Sequence, residues 1–118
     1  MLDIPVLLVV FNRPQLTGQI LDVLQKVAPK KLYVAADGPR KNKQNDERLC
    51  EETRSIVQQK VNWECEIKTL YHAHNMGCGK AVSTAISWFF ENEEMGIILE
   101  DDCYPDETFF SFCREMLF

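Results

Sequence analysis

Residues 97 to 103 read I-I-L-E-D-D-C, an apolar run that passes directly into three consecutive carboxylates, Glu100, Asp101 and Asp102. Like charges about 6 Å apart repel by roughly 2 to 4 kcal/mol at the effective dielectric of a protein site, and by well under 1 kcal/mol in open water. The cluster therefore either stands in solvent, as acids of turns often do, or receives a cation. In extended chain, Glu100 and Asp102 would point to one side and Asp101 to the other, addressing separate parts of one ligand. A hard cation, Mn²⁺ or Mg²⁺, held by one or two carboxylates and completed by phosphate oxygens, suits so sparse an oxygen set.

Three other polar groups end apolar runs in the same way: Asn12-Arg13, Asp37-Gly38, and the stretch H-A-H-N-M-G-C-G-K from His72 to Lys80. Two nucleotide motifs are excluded. The turn F-N-R-P-Q-L-T-G lacks the G-x-G-x-x-G of a dinucleotide fold, and Gly79-Lys80 has His74 where a phosphate loop needs its first glycine and Ala81 where it needs Ser or Thr.

The elements between these groups must bring them together. Ile4 to Phe11 is a continuous apolar, β-branched run, the pattern of a strand buried on both faces. Pro14 then opens a helix in which Leu16, Ile20, Val23, Leu24 and Val27 share a face, closed by Ala28-Pro29. Lys31 to Ala36 is a second strand, and a polar loop from Arg40 to Asn45 leads to Asp46, the expected N-cap of a second helix carrying Leu49, Ile56, Val57 and Val61. Cys65 to Tyr71 alternates, as a strand near a sheet edge does. Val82, Ala85, Ile86 and Phe89 mark a third helix, Met95 to Leu99 a fourth strand expected to be buried, and Pro105 to Phe118 a last helix. Strands alternating with helices predict an α/β fold with a mainly parallel Rossmann-like sheet in three αβα layers, and right-handed crossovers. In such a sheet ligands collect beyond the carboxyl ends of the strands, where all four polar groups would converge.

A length of 118 residues suits one domain, residues 1 to 118, and a hydrophobic fraction of 46% is that of an ordinary globular chain. The net charge of -5 argues against a protein that follows nucleic acid through its phosphates. Basic residues gather from Lys30 to Arg48 and acidic ones from Glu91 to Glu115, a split that fits an anionic ligand with a metal, or two solvated faces. No secretory core or transmembrane segment is visible, so a cytoplasmic location is expected. The five cysteines show neither zinc nor C-x-x-C spacing, and read as reduced, mostly core residues. The apolar width of the last helix, from Phe109 to Leu117, suits a partner, either a further part of a longer protein or a second copy in a homodimer, or else a helix packed on its own sheet.

In order and spacing, P-V-L-L-V-V-F-N-R-P, A-A-D-G, H-N-M-G-C-G-K-A and I-I-L-E-D-D resemble the nucleotide-binding half of GT-A type glycosyltransferases. The chain is similar to the broad family-two transferases and, through E-D-D in place of D-x-D, to the group that transfers N-acetylglucosamine from its UDP form. The resemblance implies a nucleotide diphosphate sugar donor, a carbohydrate or other hydroxyl acceptor, and Mn²⁺ or Mg²⁺. It implies that Phe11, Asn12 and Arg13 lie against the nucleoside or its phosphates, that Asp37, whose other reading is a turn acid steadying Gly38-Pro39, pairs with uracil with Gly38 beside it at the donor, and that His74 and Asn75 flank base and ribose. Gly77 and Gly79 would let backbone approach the ligand, and Lys80 is either a diphosphate contact or a surface residue. Metal binding falls chiefly to Asp102, with Asp101 beside it on the ribose and Glu100 toward the donor sugar. An acceptor-side base is expected beyond Asp102 and no residue here matches it, so the isolated chain should bind donor better than it turns over. A sugar nucleotidyltransferase is a rival reading, although Asn12-Arg13-Pro14-Gln15 lacks the glycine-rich basic loop such enzymes carry; a non-enzymatic interaction module is another.

Overall fold

The computed structural model describes residues Met1–Phe118. The element order is β1 (Val6–Val10), α1 (Pro14–Val27), β2 (Lys31–Ala36), α2 (Asp46–Lys60), β3 (Glu66–Tyr71), α3 (Cys78–Asn92), β4 (Ile97–Glu100) and α4 (Glu107–Leu117). The strands form one sheet in the order β3-β2-β1-β4, with every neighbouring pair parallel. Helices cover both faces, giving the expected three-layer α/β fold.

Alternation along the strands sorts side chains between two cores. Val6, Leu8 and Val10 of β1 join Leu32, Val34 and Ala36 of β2 in the larger core, with Ile20, Leu21 and Leu24 of α1, Val57 of α2 and Phe110 of α4. On the opposite face Leu7, Tyr33 and Ala35 meet only α3, through Ala85 and Phe89. There the Phe89 ring stands edge-on to Tyr33 at 4.9 Å, and burial with an adjacent Glu93 pushes the Tyr33 phenol well above its ordinary value. Helix α1 starts on Pro14 and stops where Ala28 turns left-handed and its N–H closes onto Leu24, because a proline follows at once.

The structure departs from the sequence expectations in four places. Strand β4 is an edge rather than a fully buried strand: Ile97 and Leu99 are buried, while Ile98 and Glu100 are exposed because α3 lies over β1 and β2. Asp46 is not a cap; Asn45 occupies that position without a side-chain bond, and the Asp46 carboxylate is engaged elsewhere. The acidic triplet is not extended. Glu100 ends β4, and its carbonyl accepts from the N–H of Cys103, turning the chain through Asp101 and Asp102. Of the five unpaired cysteines only Cys50 is buried; Cys65, Cys103 and Cys113 edge the larger core and Cys78 is exposed. No helix is long and apolar enough to cross a membrane.

Candidate functional site

The carboxyl ends of the strands surround a cleft of about 340 Å³. Its apolar lining comes from Val9, Val10, Ala35 and Ala36 of the sheet with Ala81 and Val82 of α3; the polar lining includes Arg13, Asp37, Arg40, His72, Asn75, Glu100 and Asp101. Strand order explains the location. The chain leaves β1 toward β2 on one side, and β4 is added on the other, so the loops diverge and leave a crevice.

On the β2 side the polar groups hold one another. Asp37 is buried, its Oδ1 accepting the N–H groups of Gly38 (2.8 Å) and Met76 (2.9 Å), its Oδ2 the amide of Asn75 (3.1 Å). The same Asn75 amide reaches the Gly38 carbonyl at 3.0 Å, and its oxygen accepts the Gly77 N–H at 3.1 Å. Gly38 is small for a definite reason: a Cβ there would stand 2.5 Å from the His74 backbone. The turn after β2 and the loop after β3 are thus pressed together. Arg54 adds a clamp, donating to the carbonyls of Asp37 (3.2 Å) and His72 (2.8 Å) while lying over the Tyr71 ring.

Nearby, the Asp46 carboxylate accepts from the Arg40 backbone (2.8 Å) and guanidinium (3.0 and 3.1 Å) and from Asn12 (2.7 Å). The Arg40 hydrogen bonds, joined by that from Asn12, outweigh burial and hold the Asp46 carboxyl well below the usual carboxylate range. Arg40 is thereby fixed 5.5 Å from the Phe11 ring centre, at the cleft.

The β4 side is less complete. The Asp101 side chain is 4% exposed, yet its only ion-pair partner is Arg13, 3.3 Å from Oδ1, and Oδ2 is buried with no hydrogen bond. Burial pushes the Asp101 carboxyl above its ordinary range; Arg13 opposes the shift, while Asp102 and Glu100 reinforce it. Between the two sides, α3 begins at the cleft with Gly77 (φ 88°) before it and no side-chain cap, so the positive end of that helix is open.

Of the residues singled out from sequence, Phe11, Arg13, Asp37, Asn75, Gly77, Glu100 and Asp101 line the cleft. Asn12, Gly38, His74, Lys80 and Asp102 do not. Asn12 and Gly38 brace the loops, whereas His74, Lys80 and Asp102 are exposed. His72 and Cys78, which belong to the His72 to Lys80 stretch but had no role of their own there, also line the cleft; sequence reasoning missed Arg40, which lines it, and Arg54, which supports it. The concentration of basic residues from Lys30 to Arg48 was the one signal for Arg40; nothing local marked Arg54. Comparison with protein families, with curated proteins and with solved structures finds no match.

Proposed function

We propose that this chain is the donor-binding domain of a glycosyltransferase of GT-A type, taking a nucleotide diphosphate sugar, UDP-linked, with a divalent cation, and presenting the sugar to a hydroxyl acceptor. The observation that carries the reading is the convergence of four polar strand ends on one cleft at the switch point of the sheet. The cleft combines what such a donor needs: an apolar floor, guanidinium groups from Arg13 and Arg40, and carboxylates from Asp37, Glu100 and Asp101.

Each group then has a role. The Asp37 carboxylate, with one hydrogen bond on Oδ2, retains acceptor capacity for the N3 proton of uracil, and its other bonds keep it from rotating. Arg13 and Arg40, with the open end of α3, favour the negative charge of a diphosphate. The small side chains of Ala35, Ala36 and Ala81 leave room for a flat ring against the sheet.

The acids suit a cation in one mode. No three acidic, histidine or cysteine side chains converge on a point; Asp101, with an unpartnered oxygen, and exposed Asp102 would hold Mn²⁺ or Mg²⁺ as one or two carboxylates do when phosphates complete the shell. When bound, the cation supplies charge neutralisation of the diphosphate and stabilisation of the leaving nucleoside diphosphate. Calorimetric titration with UDP and UDP-sugars, with and without Mn²⁺, tests the proposal: metal-dependent binding at a single site is expected, and absence of any metal-dependent binding would refute it.

A further inference from the structure

Strand β3 is the opposite edge of the sheet from β4, and it is unusually bare. Helix α2 packs on α1 rather than over β3, so Ile67 remains 42% exposed, and a shallow groove runs between Ile67, Thr69 and Tyr71 and the α2 residues Arg54, Ser55 and Gln58. A long uncovered edge presents unpaired N–H and C=O groups that invite another strand. Charged edge residues commonly discourage this, and Glu66 and Lys68 are charged; the spacing of the two charges points the other way.

In a parallel pair, alternate residues turn their backbone groups to opposite sides. The N–H of Glu66 donates to Lys30 (2.8 Å) and that of His72 to Ala36 (3.0 Å), so even-numbered residues face β2. Ile67, Thr69 and Tyr71 therefore direct theirs outward. If a second copy of β3 runs antiparallel about a two-fold axis at Ile67, the two Ile67 residues become a hydrogen-bonded pair, and Thr69 pairs with the partner's Cys65. Glu66 then lies opposite the partner's Lys68, twice, as a non-hydrogen-bonded pair with Cα atoms about 4.5 Å apart, the closer spacing of an antiparallel ladder. A two-fold at Glu66 or at Lys68 would instead oppose like charges, and one at Thr69 would set Lys68 against the partner's Leu70. Within the chain neither Glu66 nor Lys68 forms an ion pair; Lys68 only leans over the Tyr33 ring, at 5.6 Å.

We infer that the partner of the β3 edge is a second copy of this chain, joined antiparallel through β3 in the register centred on Ile67, giving a continuous eight-stranded sheet from two copies of four. The two-fold sends the strand ends of the copies in opposite directions, so both clefts stay open. This interface is separate from the exposed stripe of Phe109, Phe112 and Met116 on α4, which carries no comparable pairing of charges.

Sedimentation of the whole chain tests the inference, with Glu66→Lys and Lys68→Glu as variants at exposed positions and circular dichroism to verify folding. The wild type is expected to dimerise. Each single reversal places like charges opposite twice and should weaken the dimer roughly 30-fold, taking about 1 kcal/mol for each of the two pairs. An equimolar mixture of the two variants restores complementarity and should form a heterodimer, as should the double swap a homodimer. A wild type that stays monomeric at concentrations up to about 100 µM, a dimer indifferent to both reversals, or a mixture that fails to associate would overturn it.

Discussion

On the β2 side of the cleft, Asp37 and Asp46 receive backbone, amide and guanidinium hydrogen bonds on both oxygens. On the β4 side, Asp101 is as deeply buried but has one ion pair and an oxygen with nothing to accept. Burying a carboxylate without full compensation costs stability, and protein chains keep such groups where a ligand completes them. The two sides therefore do different work. The β2 side is built to hold its shape alone, and the β4 side is where an incoming group has the most to contribute.

The largest expected effect is on binding. Asp101→Asn should weaken metal-dependent UDP binding by about 100-fold, within the range for removing one partner of a desolvated charged contact, as read by calorimetry. The same change should raise folding stability at pH 7 by about 1 kcal/mol. The sign follows from the raised carboxyl: the folded state holds that proton more tightly than the unfolded chain, so ionisation costs stability as pH rises from the unfolded value near 4 through the folded one. Urea titrations should find the gain at neutral pH and no gain well below pH ~4.

Asp46→Asn should do the reverse, lowering stability by about 2 kcal/mol at pH 7 through loss of charge-assisted hydrogen bonds, with a smaller effect on UDP affinity. Its carboxyl is held low, so its contribution is fully present above the unfolded value and disappears as pH falls through the folded one. The deficit of the variant measured in urea should therefore shrink on acidification below pH ~4. If both variants change stability in the same direction at pH 7, the contrast between the two sides is wrong.

Gly38→Ala forces a Cβ into the His74 backbone and should cost about 1 to 3 kcal/mol, the usual range for overpacking. Thermal melts would register it, and chemical shifts of the His72 to Gly77 loop should move more than those of the β4 turn. Arg13→Gln is expected to be the mildest, weakening UDP binding about 10-fold by calorimetry, with about 1 kcal/mol of stability at stake, because Arg13 is half-exposed although its partner Asp101 is buried. A larger loss of stability from Arg13→Gln than from Asp46→Asn would invert the roles of the two sides.

The fold was legible where hydrophobic period and turn chemistry agree. Pro14–Val27 and Lys31–Ala36 fall where the sequence puts them, and the alternation of Cys65 to Tyr71 correctly marks an edge. The other edge was not legible, because the short run Ile97-Ile98-Leu99 looks the same whether one or both faces are covered, and only the placement of α3 leaves Ile98 bare. Within the cleft, residues that directly follow a strand were found. Those that act across loops were misread or missed: Asp46 looks like a helix cap until Arg40 and Asn12 are seen to close on it, and Arg54 reaches Asp37 and His72 from the middle of α2. Such contacts depend on how loops fold back, which local spacing does not encode.

The most direct test is calorimetry of wild type, Asp101→Asn and Asp46→Asn side by side, titrating UDP in Mn²⁺ at neutral pH. The division of the site predicts that wild type and Asp46→Asn bind with similar affinity and that Asp101→Asn binds about 100-fold more weakly, although it is the most stable of the three. Undiminished binding by Asp101→Asn would contradict it.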